Sequence, residues 1–99
     1  MTAQERFAAD WNMPLEDVKR MVRLARSAGA ANTHACNGDP FPGLLNATKA
    51  RAAQEWGSQC DAITKHIAGI AGLYGFTDIV YTGLGPTLKR GSQFVEVPY

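Results

Sequence analysis

The chain has 99 residues, 45% of them hydrophobic and 19% charged, with a formal net charge of +1. That length suits one domain, residues 1–99, with a single modest core, and the composition excludes disordered and collagen-like classes. A balance so near neutral also excludes a general basic excess for gripping nucleic acid, so only a local patch could serve that role.

A short first helix is expected over about residues 3–10. Thr2-Ala3-Gln4-Glu5 has the Ser/Thr-x-x-Glu form in which hydroxyl and carboxylate satisfy backbone amides reciprocally. Phe7, Ala8 and Trp11 are too little apolar surface to hold this helix alone, so Phe7 and Trp11, one turn apart, are expected to dock it on the rest. Pro14 suits the first position of a second helix, and Glu16 and Asp17 complement the positive end of its dipole. Leu15, Val18, Val22, Ala25, Gly29, Asn32 and Cys36 alternate at three- and four-residue spacing, which predicts one long amphipathic helix. Its seam narrows toward Ala25, Ala28, Gly29 and Ala35, where a partner helix can approach closely.

Residues 37–43, Asn-Gly-Asp-Pro-Phe-Pro-Gly, must reverse the chain, because Pro40 and Pro42 each push the preceding residue out of the α region. A third helix is expected over about residues 45–74, with Ala53, Trp56, Cys60, Ile63, Ile67, Ile70 and Tyr74 as its seam. Gly75 reads as its left-handed cap, with Phe76 folding back on Ile70 or Ala71. Gly69, Gly72 and Gly75 read as room for strands to lie against this end of the helix, rather than as a binding groove.

From Phe76 the period changes from near 3.6 to 2. Short strands are expected over about residues 79–82, 87–89 and 94–97, the last two joined through Arg90-Gly91-Ser92. Val95, Val97 and Tyr99 alternate with Phe94, Glu96 and Pro98, the pattern of a sheet covered on one face. So small a sheet is marginal alone and must pack on the helices. The predicted fold is therefore α+β: a long antiparallel helical hairpin, with a short N-terminal helix, packed on a C-terminal three-stranded antiparallel β-meander.

No apolar run approaches the ~20 residues needed to span a bilayer; the longest, residues 67–76, is broken by three glycines. Residues 1–6 lack the basic and apolar regions of a secretory signal, so a cytoplasmic location and no membrane partner are expected. In that setting Cys36 and Cys60 are expected to be reduced thiols, small core residues facing across the helical hairpin.

The candidate chemistry is thin. His34, Cys36, Cys60 and His66 are ligand types that zinc accepts, but Cys60 and His66 lie about 240° apart round a helix, and no Cys-x-x-Cys or His-x-x-x-His unit is present. A Cys/His nucleophile pair lacks a third orienting group, and the dipole at a helix C-terminus opposes a thiolate at Cys36. Gly83-Leu84-Gly85 is followed by Pro86 and a strand rather than a helix, so it reads as a tight turn and not a phosphate loop. No catalytic residue, metal site or cofactor is assigned, and an enzyme is not expected. The clearest surface feature is basic: Lys19, Arg20, Arg23 and Arg26 lie on the side of helix two opposite Met21, Leu24 and Ala28. Lys89 and Arg90, at the hairpin tip, add a second small basic spot. A charged outer helix face is most often simply solvated, but such a stripe can also grip phosphates or an acidic protein surface. It lacks the interleaved aromatics on which single-strand binders stack bases.

Cys36-Asn37-Gly38 after a long helix, Thr82-Gly83-Leu84-Gly85-Pro86-Thr87-Leu88, and the ending Val95-Glu96-Val97-Pro98-Tyr99 resemble a group of small proteins of tailed bacteriophages and prophages. These tend to carry a Cys-Asn-Gly after a helix, a Gly-Leu-x-Pro core in a terminal hairpin, and a Val-x-x-Pro-Tyr finish. The resemblance runs from about Val18 onward and carries no catalytic residue with it. It implies a phage or prophage accessory protein in a bacterial host, binding and sterically blocking a host protein, with a host-defence complex, as for anti-CRISPR proteins, one such target. The expected contacts are Lys19, Arg20, Arg23, Arg26, Lys89 and Arg90. The alternatives are a nucleic-acid-binding protein using the same basic face, and a virion or assembly component associating symmetrically through the small-residue seam. Monomer and homodimer both remain open.

Overall fold

Three helices come first and a three-stranded sheet last in the computed structural model, which describes residues 1–46, 48–82 and 85–98. Helix α1 (Ala3–Trp11) opens on the expected capping box: the Thr2 hydroxyl accepts from the Glu5 amide, and the Thr2 amide donates to Glu5 Oε1, both at 3.1 Å. It closes on Asn12, left-handed at φ 53°, and the Met13 amide reaches back to the Ala8 carbonyl. Phe7 and Trp11 dock it as expected, and Trp11 meets Phe76 with ring centroids 5.4 Å apart.

Helix α2 (Leu15–Asn37) has Pro14 as its N-cap, one place before the expected position, and ends at Gly38 with φ 67°. A Cβ on Gly38 would also stand 3.0 Å from Lys49 Cβ, so both backbone and space require glycine there. Helix α3 (Lys49–Gly72) starts four residues later than expected. The start is set by Thr48, whose hydroxyl accepts from the Arg51 amide. Leu45, expected inside the helix, is instead in a turn and 89% exposed, and Ala47 lies outside the described residues. The C-terminus is the predicted Schellman arrangement: Gly75 has φ 87°, its amide reaches the Gly72 carbonyl, and the Phe76 amide reaches that of Ala71.

Strands β1 (Asp78–Thr82), β2 (Gly85–Arg90) and β3 (Gln93–Glu96) form an antiparallel meander in the order β1-β2-β3. β2 is longer than expected and admits Pro86, although it is the central strand. The Pro86 carbonyl accepts from the Val97 amide, so the side where its N–H is missing faces β3 just past that strand's end. Arg90 pairs with Gln93, leaving Gly91 and Ser92 as a two-residue turn; Gly91 alone has positive φ, as a type II′ turn needs. Gly83, Leu84 and Tyr99 lie outside the described residues, and with them the expected tight turn and the last position of the strand alternation.

One apolar cluster joins α1, α2, α3 and the sheet through Phe7, Val18, Met21, Val22, Ile67 and Leu88, among others. Along α2 the buried set drifts. Val18, Val22 and Ala25 belong to this cluster, whereas farther along burial falls on Ala28 and Ala31. The expected stripe is thus buried at Val18, Val22 and Ala25, with Met21, Ala28 and Ala31 buried beside it, but not at Asn32 and Cys36. The buried face of α2 is wider than a single stripe. Asn32 and Cys36 are exposed. The molecule measures 47 × 27 × 22 Å, with the α2–α3 turn forming an end remote from the sheet in sequence.

Gly69 and Gly72 do not make room for the strands. Both are exposed, and a Cβ on either would meet nothing within 4 Å. Among the described residues no helix is long and apolar enough to cross a membrane.

Candidate functional site

Four basic side chains share the outer side of α2, and all four are exposed. At about 100° per residue, Lys19, Arg23 and Arg26 fall within about 60° of one another, with Arg20 on the flank. Met21 and Ala28, on the opposite side, are buried and hold the helix in this orientation. None of the four makes an ion pair among the described residues, where the one ion pair joins His34 Nδ1 to Asp39 Oδ2 at 2.8 Å. The Glu5 carboxyl is held below the usual carboxylate range first by the Thr2 backbone amide, then by the Thr2 hydroxyl, and least by the Lys19 charge.

Lys89 and Arg90 are half-buried and belong to a different surface. The Arg90 guanidinium lies 4.6 Å from the Trp11 ring centroid and 5.5 Å from that of Phe76, and Nη1 donates to the Tyr74 carbonyl at 3.4 Å. This side chain clamps α1 and the end of α3 onto the hairpin, and that role takes it out of the freely presented charge. Lys89 Nζ lies 5.7 Å over Phe94, itself 62% exposed on the outer face of the sheet.

At the other end of the molecule, the turn after α2 is pinned to α3. His34 stacks on Trp56 at 4.6 Å while its Nδ1 engages the Asp39 carboxylate. Trp56 Nε1 donates to the Asp39 carbonyl at 3.1 Å, and Phe41 meets the indole edge-on at 4.8 Å. Beside this cluster a cleft of about 370 Å³ opens between α2 and α3, with Phe41 and Pro42 as its roof. Sequence reasoning missed it. The available signal was Phe41 set between two prolines opposite the seam residue Trp56.

The cysteines are not core partners. Cys36 is exposed, Cys60 is half-buried, and both are free thiols. Burial, and secondly the charge of Asp61, push the Cys60 thiol up, while the Thr64 hydroxyl pulls slightly the other way. His34 is paired with Asp39, and His66 is exposed on α3. Among the described residues no group of three His, Cys, Asp or Glu side chains could hold a metal ion. Near the base of α2, Tyr74 Oη donates to Asp17 Oδ2; that bond, then burial, then the Asp17 charge raise the tyrosine above its ordinary range. The small-residue seam of α2, expected as a route to self-association, is occupied within the chain: Ala25, Ala28 and Ala31 are all buried.

Compared with protein-family models, curated proteins and solved structures, the chain matches none.

Proposed function

We propose that this is a protein-binding accessory protein that acts by steric occlusion, with the outer face of α2 as its contact surface. The observation that carries this reading is the set of Lys19, Arg20, Arg23 and Arg26, exposed on one rigid helix without an ion pair among the described residues. Four cations concentrated on one face, with Glu16 the only acid among them, on a chain of net charge +1 steer encounter with an acidic surface and disfavour wrong partners. The C-terminal motifs that resemble small phage proteins support a host protein as the partner, with a host-defence complex the first class to test.

Binding to nucleic acid is the second reading, because phosphates would satisfy the same four cations. Two experiments separate them. Capture from a bacterial lysate should retain a specific protein with the wild-type chain and lose it with R23E/R26E. Gel shifts on duplex and single-stranded DNA across a salt series should show no band. A shift that weakens steeply with salt would favour phosphate contact instead, and light scattering would reveal an assembly component as symmetric self-association.

A further inference from the structure

We infer that the cleft between α2 and α3 is the anchor subsite of the basic face, taking an apolar side chain from an acidic protein segment that lies along Arg20, Arg23 and Arg26. This rests on the reading of α2 as a protein-binding surface and adds the chemistry of its partner. The wall of the cleft is apolar, made by Ala31, Phe41, Pro42, Trp56 and Ile63. Its mouth is framed by Ser27 on α2 and Gln59 on α3. Ser27 ties the two features together. It follows Arg26 in the chain, stands one turn (about 6 Å) beyond Arg23, and two turns (about 10 Å) beyond Arg20, all on one side of the helix. On α3, Glu55 lies one turn before Gln59 and Arg51 one turn before that, so the run of arginines nearest the cleft is the one on α2.

Three features select this occupant. A pocket of a few hundred Å³ with a mainly apolar wall accepts a hydrophobic side chain, and the neighbouring guanidinium groups demand carboxylates beside it. The roof is preorganised: Gly38 caps α2, His34 holds the Asp39 carboxylate, and Trp56 holds the Asp39 carbonyl, so little ordering is left to be done on binding. Nucleic acid fits less well, because Trp56 is already stacked by His34 and met edge-on by Phe41.

The test is an NMR titration of the full chain with a synthetic acidic peptide carrying one Leu-Trp pair at its centre. The same peptide with that pair replaced by Gly-Ser, and a thymidine oligonucleotide, serve as comparison probes. The expected result is shifts of the Trp56 indole and of Ser27, Ala31 and Ile63 together with Arg23, with binding at least about tenfold weaker for the Gly-Ser peptide. S27W, and independently Q59W, fill the mouth from exposed positions without entering the core, and each should weaken the Leu-Trp peptide to the level of the Gly-Ser one. Equal binding of the two peptides, no shifts with either, or preferential seating of the oligonucleotide in the cleft would each overturn the inference. Lysate capture then keeps the two proposals apart. A partner retained by S27W but lost by R23E/R26E leaves the basic face standing and removes the anchor subsite, whereas a partner retained by both removes both.

Discussion

Replacing Gly69 and Gly72 with alanine should stabilise the protein, and the size of the gain follows from what surrounds them. Both lie in the last turns of α3, both are exposed, and a Cβ at either would meet open space. The substitution therefore removes the backbone-entropy cost of glycine in a helix without adding a clash. That cost is about 0.5–1 kcal/mol at an interior position. Gly69 should yield most of it, and Gly72, the final helical residue, less. The pair should gain about 1–1.5 kcal/mol, raising Tm by roughly 5–10 °C for a chain of this size. Urea unfolding followed by circular dichroism should show a higher midpoint with an unchanged slope. Gly75→Ala should do the reverse, losing about 1–2 kcal/mol, because φ 87° is a left-handed conformation that an alanine Cβ opposes. A double variant no more stable than wild type would refute the reasoning, by showing that this end of α3 is not the open, regular helix described.

Arg90→Ala should cost about 1–2 kcal/mol in the same assay through loss of its packing over Trp11 and Phe76, with R90K recovering only part, whereas R23A and R26A should stay within about 0.5 kcal/mol of wild type. An alkylating reagent should modify Cys36 well before Cys60, because Cys36 is exposed while burial and Asp61 hold the Cys60 thiol in its unreactive protonated form; equal rates would contradict the geometry. Ultraviolet titration should find Tyr74 ionising above the ordinary tyrosine range, and D17N should bring it back. The sign follows: a folded-state pKa raised above the unfolded value stabilises fully below the unfolded pKa and is lost as pH rises through the folded one, so Y74F should flatten the alkaline limb of the stability curve.

The helix–helix–sheet order was legible because the change of hydrophobic period at Phe76 is a local property. Caps were legible too where the whole motif lies within a few residues, as in Thr2-Ala3-Gln4-Glu5 and Gly75-Phe76. The start of α3 was misread because Leu45 extends the apolar pattern, while the residue that sets the boundary, Thr48, lacks the acidic residue at Arg51 that would have completed a capping box. The stripe read along α2 holds at Val18, Val22 and Ala25 but fails at Asn32 and Cys36, because burial farther along the helix falls on Ala28 and Ala31, a choice that spacing alone does not decide. Cys36, at the far end of that stripe, is exposed for the same reason. The exposure of Lys19, Arg20, Arg23 and Arg26 was readable from helical geometry, but the role of Arg90 was not, since its partner Trp11 stands at the opposite end of the chain. The cleft beneath Phe41 was hidden for a related reason: it exists only when the turn is pinned to Trp56 by contacts with His34 and Asp39.

The most direct test of the basic face compares two variants with the same change in net charge: R23E/R26E on the outer side of α2, and K49E/R51E at the exposed start of α3. Each is used beside wild type in quantitative capture from lysate of the proposed bacterial host. The wild-type chain and K49E/R51E should retain the same specific protein while R23E/R26E loses it. Retention by all three, or equal loss from both variants, would contradict a contact surface on α2 and leave Lys19, Arg20, Arg23 and Arg26 as a solvated helix face.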